Sequence, residues 1–249
     1  MTSATITLGL LRQYQRNIFL LLLLVTVPFV FITLSFYITE SMPIEIYVTE
    51  SGSRVALERM MPEVHAAIMV PIAVSFLAGI VGLFVMLDAS KSDSRLLVAG
   101  LPAFVVASSR MAIMLALSLI IALVSISVTL INFSPGDLVG FLAGNVVIGI
   151  SYAFIGAIAA LVVGRLGGAY LMFFIPMVDV GIFQDPMFVS GDQALWMKLL
   201  PGFGGTRMVI DAGFTGAMDD WTALFAGVAW AVTLGIAACA LFVIKPNEA

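Results

Sequence analysis

Few side chains in this sequence have the chemistry for catalysis or metal binding. The chain has one histidine, His65, and one cysteine, Cys239, so it can form neither an internal disulfide nor a cluster of these ligands. A proton relay through His65 is conceivable, but no second histidine or intramembrane acid flanks it, which favours an ordinary interfacial histidine. Asp179 is the one acid close to an apolar stretch, and acids at membrane depth are candidates for function. Because Gly181 and Pro186 follow it, we expect Asp179 to reach the surface, with a place on a substrate pathway as the alternative.

The composition predicts a lipid environment for these residues. Of the 249 residues, 61% are hydrophobic and 10% are charged, whereas soluble domains carry about 25% charged residues. A helix needs about 20 apolar residues to cross a bilayer. We therefore predict an all-α integral membrane protein, a single transmembrane domain over residues 1–249 with six spans, of which the fifth is short. The predicted spans are residues 17–39, 64–87, 111–133, 138–163, 168–182 and 222–244.

The distribution of Lys and Arg predicts the orientation. With six spans both termini lie on one side, and seven of the 11 Lys and Arg residues fall on that side. Positive loops are typical of the cytoplasmic face. The sequence therefore predicts a multi-pass protein of the cell membrane with cytoplasmic N- and C-termini.

Two segments on the predicted cytoplasmic side have patterns of their own, with the start of the first span and a plain solvated connector as the respective alternatives. Residues 6–16 form a two-faced pattern in which Arg12 and Arg16 oppose an apolar face, which predicts an amphipathic helix lying in the membrane interface. The segment from Asp88 to Arg110 predicts a short helix that is capped by Ser92 or Asp93 and ends at Gly100 and Pro102. A second short helix is predicted from Pro102 to Arg110, leading into the third span.

The two long segments on the predicted external side contain several helix breakers. Between residues 182 and 221, prolines and glycines leave two predicted short helices, at residues 193–200 and 206–214. An apolar stretch broken in this way is typical of interfacial or re-entrant helices, and Trp196 suits the membrane–water interface. Between residues 40 and 63, a further short helix is predicted from Arg54 to Met61.

Two Gly-x-x-x-Gly pairs occur in the chain. Gly140 and Gly144 stand at the start of the fourth predicted span, where small residues let helices approach closely. Gly164 and Gly168 fall between predicted spans and are interpreted as a turn.

This organisation resembles the permease subunits of ABC-2 type transporters. In that family an interfacial helix precedes six spans, a coupling helix lies between the second and third spans, and short external helices lie between the fifth and sixth. The most specific stretch is Leu96-Leu97-Val98-Ala99-Gly100-Leu101-Pro102, followed by Ala107-Ser108-Ser109-Arg110. A second similarity is Leu199-Leu200-Pro201-Gly202 in the external segment. Where many members have a glutamate-rich start to the coupling segment, this chain has Lys91-Ser92-Asp93-Ser94.

The resemblance implies a transmembrane subunit of an ATP-driven exporter of a small or amphipathic molecule. It implies a separate ATP-binding subunit holding ATP and Mg²⁺, and a second permease copy or paralogue. No Gly-x-x-x-x-Gly-Lys-Ser/Thr phosphate loop occurs in this chain, so no enzymatic activity of its own is expected. The residues expected to contact the ATPase are Asp88, Lys91, Ser92, Asp93, Arg95, Leu96, Leu97, Arg12 and Arg16. Those expected to line the pathway or an external gate are Asp179, Trp196 and Pro201.

Other functions remain as alternatives. An ion-coupled secondary transporter usually needs buried ionisable groups or matching broken helices, and the predicted spans are nearly free of charge. An intramembrane enzyme needs paired catalytic groups or a metal within its spans. A purely structural membrane subunit is the fourth possibility.

Overall fold

The computed structural model describes residues 18–50, 52–88, 96–189 and 193–244. These residues form a bundle of long apolar helices that carries a small sheet and two short helices at one end. A π-helical turn, Asp179–Phe183, continues the fifth helix. The helices are α1 (Ile18–Ile38), α2 (Met61–Leu87), α3 (Ala103–Thr129), α4 (Leu138–Val162), α5 (Gly164–Val178), α6 (Leu195–Lys198), α7 (Pro201–Phe214) and α8 (Trp221–Ile244). The strands are β1 (Pro43–Glu50) and β2 (Ser53–Met60).

The long apolar helices fit a multi-pass helical membrane protein. Within the described residues, five helices are long and apolar enough to cross a bilayer: α2, α3, α4, α8, and α5 together with its π-helical turn. The apolar part counted in α1, Leu22–Ile38, is shorter than the about 20 residues of a span, so the first predicted span, residues 17–39, stays a prediction. The predicted interfacial helix, with Arg12 and Arg16, lies outside the described residues.

The described helices have two ends, which we name by their connections. The hairpin end holds β1 and β2 together with α6 and α7, and the far end holds the turns at Gly100 and Gly164. Both of these glycines have positive φ, of 88° and 79°, a conformation that costs glycine little and other residues more.

Helix α4 lies at the centre of the bundle and contacts α2, α3, α5, α7 and α8. Glycines allow its closest crossings. A Cβ atom at Gly156 would overlap the carbonyl oxygen of Gly79 in α2, and one at Gly144 would lie 2.9 Å from the carbonyl oxygen of Gly205 in α7. The predicted close approach at Gly144 is therefore confirmed. Of the second glycine pair, Gly164 forms the predicted turn, whereas Gly168 lies inside α5.

Two predicted helix boundaries were wrong. The segment after Pro102 is not a separate short helix, because α3 runs without interruption from Ala103 to Thr129, and this stretch contains no proline or glycine to end it. The fifth span is not short: it starts at Gly164 and, with the π-helical turn, has 20 residues. Gly168, which the sequence predicts in a turn, packs against Leu83 of α2 within the helix.

The segment after α1 is a β-hairpin and not a helix. Strands β1 and β2 pair antiparallel from Pro43↔Met60 to Glu50↔Ser53, so the predicted helix from Arg54 to Met61 was wrong. The reason is the alternation of residue types: Ile44, Ile46 and Val48 alternate with polar neighbours, which is the strand period of two. The fold is therefore mainly helical with one small sheet.

The two short helices predicted before the last span are confirmed with different bounds. The first is the single turn of α6, and the second, α7, starts at Pro201 and not at residue 206. Proline is well suited to the first turn of a helix. The glycines that follow let α7 pack closely against its neighbours: a Cβ atom at Gly204 would overlap the backbone of α8 at Gly227.

Candidate functional site

Asp179 is the centre of a buried polar cluster near the hairpin end. It is the first residue of the π-helical turn after α5 and is only 4% exposed. The expectation that it reaches the surface was therefore wrong. The turn winds the chain more widely than an α-helix, and the backbone N–H of Gln184 donates to the carbonyl oxygen of Asp179 at 3.0 Å. Single π-helical turns often mark functional positions.

Three neutral donors hold the Asp179 carboxylate. The hydroxyl of Tyr152 in α4 donates to Oδ2 at 2.6 Å, and the backbone N–H of Gly202 in α7 donates to the same oxygen at 2.8 Å. The side-chain amide of Gln184 donates to Oδ1 at 3.2 Å. The carboxylate therefore joins α4, the end of α5 and the start of α7.

Gly202 allows the carboxylate to approach this closely. A Cβ atom at this position would lie 2.9 Å from both Cγ and Oδ1 of Asp179, closer than side chains normally pack. Pro201 and Gly202 occupy the first turn of α7, where N–H groups have no partner within the helix and the positive end of the helix dipole attracts an anion. The Pro201-Gly202 pair noted in the sequence thus positions a donor on Asp179.

Glutamine side chains extend the cluster towards α6. Gln184 donates to the carbonyl oxygen of Met197 at 3.0 Å, and Gln193 donates to Oε1 of Gln184 at 3.0 Å. The ring of Trp196 packs edge-on against Phe183 with a centroid distance of 4.8 Å. The three residues predicted for a pathway or gate, Asp179, Trp196 and Pro201, all lie in or beside this cluster.

Tyr152 and the two glutamines were not predicted as site residues. Tyr152 is completely buried in the middle of an apolar helix, and a buried tyrosine hydroxyl normally has a hydrogen-bond partner. That rule could have singled out Tyr152 from the sequence. It could not have named Asp179 as the partner, because the two are 27 residues apart on different helices.

A small crevice lies against the Asp179 cluster. Its volume is about 310 Å³, and the buried Asp179 is among the residues next to it. The remaining walls are apolar and come from α5, the π-helical turn and the start of α7. They are Phe174, Ile175, Val178, Phe183, Leu200 and Pro201. The surface of the crevice is therefore almost wholly apolar.

A larger groove between α3, α4 and α8 has a different character. It measures about 870 Å³ and is lined by apolar side chains such as Phe104, Phe154 and Ile236, with the thiol of Cys239 among them. Without a charged or strongly polar lining group it offers no specific recognition, and its chemistry matches lipid tails.

Two further buried acids lie outside the spans at the hairpin end. Burial raises the pKa of Asp185 to about 6, although the N–H of Met187 donates to its carboxylate. Burial also raises the pKa of Asp211 from its usual range, and hydrogen bonds from the backbone N–H groups of Asp219, Thr49 and Asp220 oppose that shift. Asp211 thereby ties β1 to α7 and to the start of α8.

The segment predicted to couple to an ATPase is described in part. Asp88 is exposed just after α2, and the short helical turn Leu96–Val98 precedes Gly100. The N–H of Gly100 donates to Leu97 and that of Leu101 donates to Leu96, which is the glycine-ended arrangement of a helix C-terminus. The predicted end at Gly100 is confirmed. Lys91, Ser92, Asp93 and Arg95 lie outside the described residues.

Val98 is the most exposed large apolar side chain in this segment. It is 89% exposed, whereas Leu96 and Leu97 are half-buried against the bundle. Arg110, which follows on α3, is 1% exposed. It lies in the second turn of α3 at the far end, so the structure does not bring it together with Asp179.

The last candidates from the sequence are His65 and a metal site. His65 lies in the first turns of α2, where its Nδ1 is 2.7 Å from the hydroxyl of Thr39, and this contact links α2 to the end of α1. Among the residues that the structure describes, no group of three or more His, Cys, Asp and Glu side chains is placed to hold a metal ion.

Comparison with protein families, curated proteins and solved structures finds no match to this chain.

Proposed function

We propose that this chain is the membrane-spanning subunit of an ATP-driven ABC-2 type exporter. In this proposal it acts with a separate ATP-binding subunit, which holds ATP and Mg²⁺, and with a second permease copy or paralogue. It carries a small or amphipathic molecule across the cell membrane.

The observation that carries the proposal is the order of elements along the chain. A helical turn ended by Gly100 separates α2 from α3, and the short helices α6 and α7 stand between α5 and the last helix. Both features occupy the places that the resemblance to ABC-2 permeases predicts. The long apolar helices α2 to α5 and α8 supply the membrane-spanning part.

The proposed orientation puts the far end in the cytoplasm, because the predicted cytoplasmic loops carry seven of the 11 Lys and Arg residues. The exposed Val98 then lies on the side where ATP is found. An exposed apolar side chain at the tip of a short helix can insert into an apolar pocket on a partner protein. A stiff helical turn there can pass a displacement of the ATPase to α2 and α3.

The proposal is tested by co-expressing this chain with an ATP-binding cassette subunit from the same organism and co-purifying the two. We expect the ATPase to be recovered through a tag on this chain, and Val98→Asp to abolish that recovery because it puts a charge in the contact. Val139→Asp is the matched control, since Val139 is 78% exposed at the hairpin end. Failure of the unaltered chain to recover the ATPase, or equal loss with both variants, would contradict the proposal.

Ion-coupled transport is the second candidate, and the buried Asp179 and Arg110 favour it. Both lie inside helices that are candidate spans and are almost inaccessible, and buried ionisable groups are typical of ion-coupled transporters. Reconstituted vesicles separate the two functions. The ABC proposal expects transport that needs the ATPase and ATP, whereas ion coupling expects transport driven by an ion gradient without them.

A further inference from the structure

We propose that a polar pocket at the hairpin end binds the headgroup of a phospholipid that carries both a phosphate and a primary ammonium group, as an ethanolamine headgroup does. The pocket lies between the end of β2, the start of α2, the segment after α3 and the end of α7. Its volume is about 400 Å³, and most of its surface is polar. This inference concerns binding by the chain itself and does not depend on the proposed transport function.

The first argument is a pair of opposite charges that the chain leaves unmatched. Arg59 and Glu63 both line the pocket and are both partly exposed, yet within the described part of the chain neither forms an ion pair. The guanidinium of Arg59 donates to the carbonyl oxygens of Glu58 and Phe214, at 3.4 Å each, which is long for a hydrogen bond. The described residues supply no donor to the carboxylate of Glu63. Both charged groups can therefore take a ligand without breaking a strong contact.

The two charges together select for a zwitterion. A lone anion bound to Arg59 would be repelled by Glu63, and a lone cation bound to Glu63 would be repelled by Arg59. The donors of an arginine match the oxygens of a phosphate in geometry and charge. A primary ammonium group has three N–H donors for a carboxylate, whereas a trimethylammonium group has none. The pocket therefore favours ethanolamine over choline and over an anionic headgroup.

The second argument is the level of the pocket relative to the membrane. Helices α2 and α3 are candidate spans, and the pocket lies where α2 begins and just after α3 ends. The hydroxyl of Tyr37, at the exposed end of α1, donates at 3.4 Å to Oδ1 of Asn132, which lines the pocket. Trp221 is exposed at the start of α8, at the same end of the bundle. Tyrosine and tryptophan at the ends of spans are typical of the membrane–water interface, where lipid headgroups lie.

The third argument is the apolar surface next to the pocket. Leu130 and Ile131 directly precede Asn132 and are 43% and 65% exposed. Acyl chains attached to a headgroup in the pocket can pack on these side chains. A volume of about 400 Å³ is within the range of small-molecule sites, so it holds a headgroup but not a whole lipid. We therefore expect the zwitterion to be part of a lipid and not a soluble molecule.

Binding is measured by native mass spectrometry on the delipidated full chain in detergent, without any ATPase. The probes are three dioleoyl phospholipids that share their acyl chains and differ in headgroup: ethanolamine, choline and glycerol. We expect the ethanolamine lipid to bind at least about tenfold more tightly than the other two, corresponding to about 1.4 kcal/mol. Equal affinities for the three lipids would overturn the proposal.

A competition experiment separates a lipid from a soluble zwitterion of the same chemistry. Glycerophosphoethanolamine has the same headgroup without the acyl chains, and we expect it to displace the ethanolamine lipid only at a concentration at least about tenfold higher than that of the lipid. Displacement at an equal concentration would assign the pocket to a soluble molecule and overturn the lipid proposal.

Two variants in the pocket have different expected effects. Glu63→Gln leaves the charge of Arg59 alone, so the preference should move from the ethanolamine lipid to the anionic glycerol lipid. Arg59→Gln removes the partner of the phosphate and should weaken binding of the ethanolamine lipid at least about tenfold. Glu58→Gln and Arg54→Gln are the matched controls, because both residues are exposed on the same hairpin and do not line the pocket.

Two results with these variants would overturn the proposal, in protein that elutes as the unaltered chain does. One is an unchanged lipid preference in Glu63→Gln. The other is an equal loss of affinity in Arg59→Gln and in its control.

The outcomes for lipid binding and for transport are independent. Loss of ATPase recovery with an intact lipid preference would refute the ABC function alone. Intact ATPase recovery without that preference would refute the lipid site alone.

Discussion

Gly202 shows how a single missing side chain can decide the geometry of a buried charge. Its N–H reaches Asp179 only because no Cβ atom stands between the two. The first turn of α7 therefore packs directly against the side chain of Asp179. Any larger residue must move either the carboxylate or the first turn of α7.

We predict that Gly202→Ala destabilises the protein by about 1–3 kcal/mol, the cost of leaving a buried polar group without its partner. The thermal midpoint in detergent measures the effect. Gly216→Ala is the control, because a Cβ atom at Gly216 would meet nothing within 4 Å. Similar midpoints for the two variants would show that the contact with Asp179 does not constrain α7.

Asp185 makes stability depend on pH. Its folded-state pKa of about 6 lies above the ordinary 3.8, so between these values the folded chain binds more protons than the unfolded chain. Stability therefore falls as the pH rises through this window and levels off above it.

We predict that Asp185→Asn flattens this dependence, because an amide does not ionise and can still accept from Met187. The shift of about two pKa units corresponds to about 3 kcal/mol at neutral pH. Thermal midpoints measured from pH 4.5 to pH 7.5 test it, and we expect the variant to gain most at the higher pH. An equal gain at all pH values would mean that ionisation of Asp185 is not the cause.

At the scale of elements, the β-hairpin is joined to the bundle by few polar contacts. The N–H of Thr49 donates to Asp211 at 2.9 Å, and Arg207 donates to the carbonyl oxygen of Tyr47 at 3.2 Å. Both bundle residues, the acceptor Asp211 and the donor Arg207, lie on α7. The position of the hairpin thus depends on the same short helix that closes the Asp179 cluster.

We predict that Asp211→Asn loosens the hairpin. Both carboxylate oxygens accept backbone N–H groups, and the amide replaces one oxygen by a donor. The rate of trypsin cleavage at Arg54 and Arg59 should rise several-fold, since cleavage follows the population of the open form. Glu50→Gln, an exposed acid of the same hairpin, should leave the rate unchanged; a matching increase there would contradict the role of Asp211.

The elements differ in how well local sequence could predict them. The apolar stretches predicted α2, α4 and α8 closely because span length is set by the bilayer. The sequence did not predict the hairpin, although Ile44, Ile46 and Val48 alternate with more exposed residues. The acids and prolines of this segment also favour a loop, which obscures the alternation. The Asp179 cluster depends on contacts between α4, α5 and α7, and no local pattern encodes such distant pairings.

At the scale of the whole molecule, the proposed orientation has a direct test. Cys239 is the one cysteine of the chain, so Cys239→Ala gives a background for single-cysteine labelling. We predict that Ser53→Cys in the hairpin turn reacts with a membrane-impermeant maleimide applied to intact cells. Val98→Cys at the far end should react only after the membrane is opened. The reverse pattern would place the termini outside the cell and remove Val98 from the reach of an ATPase.

The hydrogen bond from Thr49 to Asp211 also has a consequence for biosynthesis. The two residues are separated by 162 positions, so at about 5–20 residues per second a ribosome needs about 8–30 s to reach the second after making the first. During that interval the four helices α2 to α5 are still to be made. The nascent hairpin therefore exists for that time without the hydrogen bond that ties it to α7.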